Sequence, residues 1–296
     1  MFHGSIVALV TPMDSSGQVD EDAFLRLLDF QLENGTTGVV IAGTTAEAAT
    51  LTDEEADRLL ELAVRHIDGH VPVIAGTGNQ STTRTIRRTQ KAASLGADAA
   101  LAVTPCYNRP PQRGLEAHYR EVARHGGLPL ILYNVPTRAA VDLLPATVQR
   151  LSGEDNIVAL KEAVGDATRV SEQLAACGTT MDLLSGDDGS CRAAMEAGAS
   201  GVISVATNVV PGPMSRLCAA VADGDLEQAR AIDTELQGLY RLLGVETNPI
   251  PVKWMLCAMG MIGPGIRLPL MPLDGAYRQD VESCLQTLGL VPGRTL

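Results

Sequence analysis

The chain has 296 residues and a formal net charge of −12, with 45% hydrophobic and 20% charged residues. This composition is typical of a globular protein with a large core, and the negative charge argues against nucleic acid or an anionic membrane as a partner. Six dispersed cysteines without a Cys-x-x-Cys pair, an N-terminus without a basic signal region and no long apolar run together predict a cytoplasmic protein with reduced thiols.

Short apolar runs alternate with helical patterns along most of the chain. The runs lack a regular alternation of polar and apolar residues, which favours parallel strands covered on both faces. The predicted strands are Ser5–Val10, Gly38–Ala42, Val71–Ala75, Ala99–Val103, Leu128–Tyr133, Ile157–Lys161, Met181–Leu184 and Gly201–Ser204.

The helices predicted between and after these strands begin and end at familiar signals. Thr52 and Glu55 form a capping-box pattern, and Asn34-Gly35 is a typical helix end. The predicted helices are Asp22–Glu33, Thr52–Ile67, Ser81–Leu95, Gln112–His125, Leu144–Leu151, Ala167–Ala176, Gly189–Ala197, Val209–Asp223, Leu226–Leu243, Pro249–Met259 and Arg278–Leu288. Eight strand–helix repeats predict an α/β fold, a (β/α)8 TIM barrel over residues 1–224, followed by a small helical domain over residues 225–296.

One of only three lysines, Lys161, ends the apolar run of the sixth predicted strand. Burial disfavours an ammonium and lowers its pKa, and the resulting neutral amine is a nucleophile that forms imines with carbonyl compounds. The alternative is a lysine that extends from the strand end into solvent, and the strand pattern alone leaves both readings open. We expect the other two lysines, Lys91 and Lys253, to lie on solvated faces.

Polar residues follow other predicted strands at the edge of the barrel where active sites of this fold lie. Thr44 and Thr45 follow the second strand, Tyr133 ends the fifth, and Arg138 follows the fifth. Tyr133 with Thr44 can shuttle protons to an imine-forming amine. Hydroxyls and backbone amides at 44–45 can hold a keto-acid carboxylate, and Arg138 can anchor a second anionic substrate. Each residue taken alone also fits a turn, core or surface position, but together they predict a Schiff-base lyase or synthase.

Several spaced motifs resemble the dihydrodipicolinate synthase / N-acetylneuraminate lyase family of class I aldolases. They are Gly43-Thr-Thr-x-Glu47, Tyr133-Asn-x-Pro-x-Arg138, Lys161-Glu-Ala and Ser185-Gly-Asp-Asp188, within a similarity that runs from Ser5 to Pro269. The resemblance implies condensation of pyruvate with an aldehyde co-substrate, L-aspartate-4-semialdehyde, on the route to diaminopimelate and lysine. It also implies a homotetramer built as a dimer of dimers and no organic cofactor. We expect no metal site, no nucleic-acid partner and no membrane partner.

The resemblance assigns catalytic roles to four residues. Lys161 is expected to carry the pyruvate imine. Tyr133, Thr44 and Tyr107 are expected to form a proton relay in which Tyr107 reaches into the site of a neighbouring subunit.

It assigns substrate-binding roles to four more. Thr45 is expected to hold the pyruvate carboxylate, and Arg138 is expected to hold the carboxylate of the aldehyde. The backbone around Gly186 and Ile203 is expected to line the pocket.

Five positions depart from the family pattern. Ala46 stands where the family usually has glycine, which questions the backbone conformation there because glycine takes positive φ most readily. Ala139 and Ala140 replace the more usual Thr-Gly, and Cys106 replaces an aromatic residue that would stack across a subunit interface. Arg84 stands where lysine-inhibited members carry glutamate, which implies weak or absent inhibition by lysine. No departure removes a catalytic group, so they bear on the substrate more than on the reaction class.

Three hypotheses follow from the residues and the resemblance. The first is the condensation with L-aspartate-4-semialdehyde, which Arg138 favours because polyol substrates call for hydroxyl-rich pockets. The second is a pyruvate-dependent class I aldolase acting on a sugar-acid or aromatic aldehyde, which Ala139-Ala140 keeps open. The third is a non-catalytic regulatory barrel, against which the intact Lys161, Tyr133 and Thr44 argue.

Overall fold

A computed structural model describes residues 2–291, and its eight parallel strands close into a barrel in which β8 pairs with β1. The strands are β1 (Gly4–Ala8), β2 (Gly38–Ile41), β3 (Val73–Gly76), β4 (Ala99–Val103), β5 (Leu130–Asn134), β6 (Ile157–Glu162), β7 (Asp182–Ser185) and β8 (Gly201–Ser204). The predicted TIM barrel and all eight predicted strands are therefore confirmed, with boundaries that differ by at most two residues.

Helices follow the strands and then continue beyond the barrel. Over residues 2–291 they are α1 (Glu21–Glu33), α2 (Asp53–Ile67), α3 (Thr82–Ser94), α4 (Gln112–His125), α5 (Pro136–Ala139), α6 (Pro145–Leu151), α7 (Ala167–Cys177), α8 (Cys191–Glu196), α9 (Pro211–Ala222), α10 (Leu226–Leu243), α11 (Ile250–Ala258) and α12 (Gly275–Thr287). A 3-10 turn at Ala206–Asn208 follows β8. The prediction missed this turn and α5, because a single turn is too short to show a helical period.

The start of α2 shows how local sequence positions the segment that follows β2. The Thr52 hydroxyl accepts the Glu55 amide at 3.2 Å, and the Glu55 carboxylate accepts the Thr52 amide at 2.9 Å. This reciprocal capping box, which the sequence predicts, satisfies two amide groups that would otherwise lack partners. The loop between β2 and α2 is therefore held at its C-terminal end.

The core has two layers, one inside the barrel and one between the sheet and the helices. Side chains of successive strand residues point to opposite faces, so residues two apart share a face. Ile131 and Tyr133 of β5 both belong to the inner layer, as does Ala159 of β6. This alternation directs Lys161, two residues after Ala159, into the barrel and Glu162 towards the helices.

The C-terminal helices pack along one side of the barrel. Asp225 caps α10 by accepting the Gln228 amide at 3.1 Å, and α10 packs against α9 and α12. The predicted domain boundary between residues 224 and 225 coincides with this cap, and residues 292–296 lie outside the described residues. The boundary itself stays a prediction.

The six cysteines form no disulfide bond with one another in the structure. All six are free, and Cys177, Cys191 and Cys218 are buried. Over residues 2–291, no helix is long and apolar enough to cross a membrane.

Candidate active site

Lys161 lies at the carboxyl end of β6 with its side chain inside the barrel. The residue is only 5% exposed, and its Nζ lies 4.4 Å from the centroid of the Tyr133 ring. The strand register places Lys161 beside Tyr133 of β5 on one side and Leu184 of β7 on the other. The alternative of a lysine extending into solvent is therefore wrong.

The surroundings of Lys161 favour its neutral amine. The pKa of Lys161 is lowered from 10.5 to about 8: burial is the main cause, the Asp188 carboxylate opposes it, and the Arg138 charge adds to the lowering. A pKa of about 8 leaves about 10% of the amine neutral at pH 7, against about 0.03% for an unperturbed lysine. The site therefore supplies a nucleophilic amine near neutral pH.

Tyr133 presents a buried phenol beside this amine. Burial raises the pKa of Tyr133 above its usual 10, while the Arg138 charge and a contact with the Thr44 hydroxyl lower it. The phenol therefore stays protonated at neutral pH and has a hydroxyl partner through which a proton can pass. Thr44 itself is exposed, so this contact connects the buried phenol to the open side of the site.

A second network lies on the opposite face of the same strand ends. Asn134 donates to both Glu162 carboxylate oxygens at 3.1 and 3.0 Å, and Gln173 donates to one of them at 2.9 Å. Burial raises the pKa of Glu162, while the hydrogen bond from Asn134 lowers it. Because Asn134 and Glu162 directly follow Tyr133 and Lys161, these bonds fix the two strands in register. Glu162 points away from Lys161, as strand alternation predicts.

Gly186 packs against the stem of Lys161. A β-carbon added to Gly186 would lie 3.0 Å from the lysine Cε and 3.1 Å from its Cγ. Contacts this short force the lysine side chain to move. Gly186 therefore lies directly beside the Lys161 side chain, and its role in lining a substrate pocket stays a prediction.

We expect Gly186→Ala to lower kcat about 10- to 100-fold, because an amine displaced by a fraction of an ångström no longer meets its substrate correctly. Steady-state kinetics with pyruvate measures the effect. Gly189→Ala is the matched control, since a β-carbon there meets only the Asp187 carboxylate at 3.8 Å. Equal activity of the two variants would show that the packing against Lys161 is unimportant.

The two predicted carboxylate anchors are joined by Asn248, a residue that the sequence analysis did not identify. Its side-chain amide donates to the Thr45 hydroxyl at 3.0 Å, and its backbone carbonyl accepts from the Arg138 guanidinium at 3.1 Å. Thr45 is buried and Arg138 is exposed, so the anchors lie at different depths of the site. Asn248 lies in the segment before α11, and its local sequence does not show that it contacts residues after β2 and β5.

The remaining predicted site residues have contrasting positions. Ile203 of β8 is buried in the inner layer of the barrel with Tyr133. Tyr107 is 92% exposed and has a left-handed backbone with φ of 66°. A bulky residue in that conformation is uncommon and suggests a constraint from function. Within one chain the structure does not bring Tyr107 to Lys161.

Asp187 and Asp188 have different environments despite being adjacent. Asp187 accepts hydrogen bonds from the Ser190 amide and hydroxyl, so it stabilises the turn before α8. Asp188 accepts the Val205 and Ala206 amides at 3.2 and 2.9 Å, which ties the end of β7 to the end of β8. Asp188 is therefore the acid whose negative charge raises the pKa of Lys161.

The expectation for Lys253 is wrong. Lys253 is only 4% exposed and donates from Nζ to a carboxylate oxygen of Glu47. Burial lowers the pKa of Lys253, and the Glu47 charge opposes this effect. The helix that carries Lys253 packs over the barrel edge, which a local sequence pattern does not reveal. Lys91 is exposed, as predicted.

The departures at Ala46 and Ala140 have opposite consequences. Ala46 is not among the described residues with positive φ, so the alanine fits the backbone there. Ala140, at the usual family glycine, has φ of 55° and ψ of 23° at the end of α5. An alanine in this left-handed region is unfavourable by about 1–2 kcal/mol.

We expect Ala140→Gly to raise the free energy of unfolding by about 0.5–1 kcal/mol, the strain relief less the extra chain entropy of glycine. Chemical denaturation measures this difference. Ala139→Gly, a buried helical neighbour, is the control and should destabilise the protein. A destabilised Ala140→Gly variant would contradict the inferred strain.

Known proteins are similar to this chain both in sequence and in fold. The model of the Dihydrodipicolinate synthetase family matches residues 1–288. The 4-hydroxy-tetrahydrodipicolinate synthase of Coxiella burnetii is 48% identical over 290 residues, 98% of this chain and 99% of that protein. The enzyme of the same name from Stenotrophomonas maltophilia is 51% identical over 274 residues, 93% of this chain and 92% of that protein.

A solved structure is similar over the same length. It is the chloride-inhibited dihydrodipicolinate synthase of Acinetobacter baumannii in complex with pyruvate. Its TM-score is 0.97 at 44% sequence identity, and the superposition covers 98% of this chain and 100% of that chain.

Proposed function

The chain belongs to the dihydrodipicolinate synthetase family, and we propose that it condenses pyruvate with L-aspartate-4-semialdehyde through an imine on Lys161. The buried amine of Lys161, with a pKa near 8 and the Tyr133 ring beside it, is the observation that carries this chemistry. Of the three hypotheses, the full-length relatives support the first. The protein is accordingly a lyase of the Schiff-base type.

The first half of the proposed reaction attaches pyruvate to the enzyme. The neutral Lys161 amine adds to C2 of pyruvate, and the resulting carbinolamine loses water to give the imine. Tyr133 protonates the departing hydroxyl and receives protons through Thr44. Thr45 binds the pyruvate carboxylate through its hydroxyl and the surrounding backbone amides.

The second half forms the carbon–carbon bond and releases the product. Loss of a proton from C3 of the bound pyruvate gives an enamine, and C3 attacks the aldehyde carbon of the semialdehyde. The amino group of the semialdehyde then adds to the imine carbon and displaces Lys161, which closes the ring. Arg138 holds the carboxylate of the semialdehyde at the mouth of the site, and the backbone at Gly186 and Ile203 lines the pocket.

The proposed site includes a residue from a second copy of this chain. Tyr107 is exposed and has a strained backbone, which supports a role at a contact between subunits. We propose a homotetramer, a dimer of dimers, in which Tyr107 completes the proton relay of a neighbouring subunit. Analytical sedimentation with enzyme assays on the same samples tests this proposal. Activity per chain should fall as the tetramer dissociates, and full activity of a dilute monomer would contradict the role of Tyr107.

Two further proposals concern location and domains. The free cysteines support a cytoplasmic protein. The cap at Asp225 supports a barrel over residues 1–224 and a C-terminal helical domain over residues 225–296.

We expect the rate of imine formation to rise with pH, to reach half its maximum near pH 8 and to level off above it, because only the neutral amine reacts. With an ordinary lysine, the rate of imine formation would continue to rise up to the usual pKa of 10.5. Rapid borohydride quenching of single turnovers measures the profile. Asp188→Asn removes a negative charge that raises the pKa of Lys161. The midpoint of the pH profile of this variant should therefore lie at lower pH than that of the wild type. A wild-type midpoint near 10 would contradict the account.

An aldehyde panel tests the substrate assignment. Purified protein is assayed with pyruvate and L-aspartate-4-semialdehyde, a sugar-acid aldehyde or an aromatic aldehyde, by disappearance of pyruvate. We expect kcat/KM to be at least about 100-fold higher for the semialdehyde, because Arg138 pairs with its carboxylate. A preference for another aldehyde would overturn the substrate assignment without affecting the imine chemistry.

A further inference from the structure

The loop after β2, residues 43–50, contacts the C-terminal part of the chain at several points; we call it the anchor loop. Asn248 donates to the Thr45 hydroxyl, as described above. Lys253 donates to one carboxylate oxygen of Glu47, and the Arg267 amide donates to the other at 3.0 Å. The loop that holds Thr45 is thus fastened from a segment some 200 residues later in the chain.

Glu47 is the residue on which these contacts converge. It is buried, and its backbone has φ of 58°, a conformation that a glutamate rarely adopts. Backbone strain of this kind persists only where the surrounding structure enforces it. The turn around Glu47 also sets the direction of Thr44 and Thr45, since the Glu47 amide donates to the Thr44 carbonyl at 3.1 Å.

The partners of Glu47 are themselves firmly held. Lys253 is buried in α11 and has the Glu47 carboxylate as its ion-pair partner. The Arg267 guanidinium makes two hydrogen bonds to Glu55, at 2.7 and 2.6 Å, and a third to the Thr50 carbonyl at 2.9 Å. Removing one member of a buried pair leaves a charge without a partner, so the turn would have to rearrange.

From these contacts we propose that Glu47, held by Lys253 and Arg267, is a positioning residue that presets the anchor loop to bind the pyruvate carboxylate. The inference rests on the proposed function, because Thr45 is the carboxylate anchor of that proposal. Glu47 does not touch the reacting atoms. It acts through the turn that carries Thr44 and Thr45, so its loss weakens pyruvate binding more than it slows chemistry on bound pyruvate.

The test measures pyruvate binding and fold stability separately. Borohydride trapping on Lys161 is titrated with pyruvate for the wild type, Lys253→Met and Glu47→Gln, and Tm is recorded for each protein. We expect the pyruvate concentration for half-maximal trapping to rise about tenfold in Lys253→Met, with maximal trapping retained. Glu47→Gln keeps an acceptor for the Arg267 amide, so the concentration for half-maximal trapping should rise less in this variant.

Arg192→Met is the matched control, because it removes an ion pair between α8 and the C-terminal helix α10 at Asp233. It should lower Tm while leaving half-maximal trapping unchanged. The inference would be overturned if Glu47→Gln and folded Lys253→Met both reached half-maximal trapping at the wild-type pyruvate concentration. The Lys253–Glu47 pair would then have a structural role only. If Lys253→Met does not fold, Glu47→Gln alone decides. Failure of the wild type to trap pyruvate on Lys161 would instead overturn the proposed function.

Discussion

Replacing Lys161 with methionine is expected to lower kcat by at least about 10³-fold, because the imine cannot form without the amine. The same replacement is expected to stabilise the fold. Methionine fills a similar volume in the buried site without carrying a charge that burial disfavours. Enzyme assays and denaturant unfolding at pH 7 measure the two effects.

The stability effect has a defined pH dependence. The folded pKa of about 8 lies below the unfolded value of 10.5, so between these values the unfolded chain binds more protons. The wild type therefore gains stability as pH rises through this window. The advantage of Lys161→Met should be about 1–3 kcal/mol below pH 8 and should shrink towards pH 10.5. A variant that is less stable than the wild type at pH 7 would contradict the inferred burial of charge.

Tyr133→Phe should lower kcat by about 10²-fold or more, since it removes the phenol that transfers protons and keeps the ring that covers Lys161. Because the ring remains, the amine stays buried. The imine should therefore still form to the same final extent, but at a lower rate. Single-turnover trapping with pyruvate separates the rate from the extent.

Tyr119→Phe is the control for loss of a buried hydroxyl away from the site. Tyr119 is fully buried and its hydroxyl donates to the Ala102 carbonyl at 3.3 Å. We expect this variant to lose about 1 kcal/mol of stability while keeping kcat. If Tyr133→Phe keeps kcat within about threefold of the wild type, the phenol is not the proton donor.

The barrel was predictable because each of its repeats carries its own local signals. Apolar runs such as Ile157–Leu160 mark strands buried on both faces, and the Thr52–Glu55 capping box marks a helix start. The order of the repeats then fixes the topology, since parallel strands in this fold pair in sequence. Lys161 and Tyr133 could be placed at one edge for the same reason.

The rest of the site depends on contacts between distant parts of the chain. Asn248, in the segment before α11, and Lys253, in α11, both contact the loop after β2, and their local sequence does not show these partners. Asp188 and Asp187 look alike in sequence and differ only in what folds around them. The role of Tyr107 and the weak lysine inhibition implied by Arg84 stay predictions, because both concern residues outside the single-chain site.

Mass spectrometry of the protein after borohydride reduction with pyruvate tests the central claim most directly. The account predicts one reduced pyruvate adduct per chain, on the peptide that contains Lys161, and none on the buried Lys253 or in Lys161→Met. An adduct on another residue, or no adduct in the active wild-type protein, would contradict the assignment of Lys161 as the imine-forming residue.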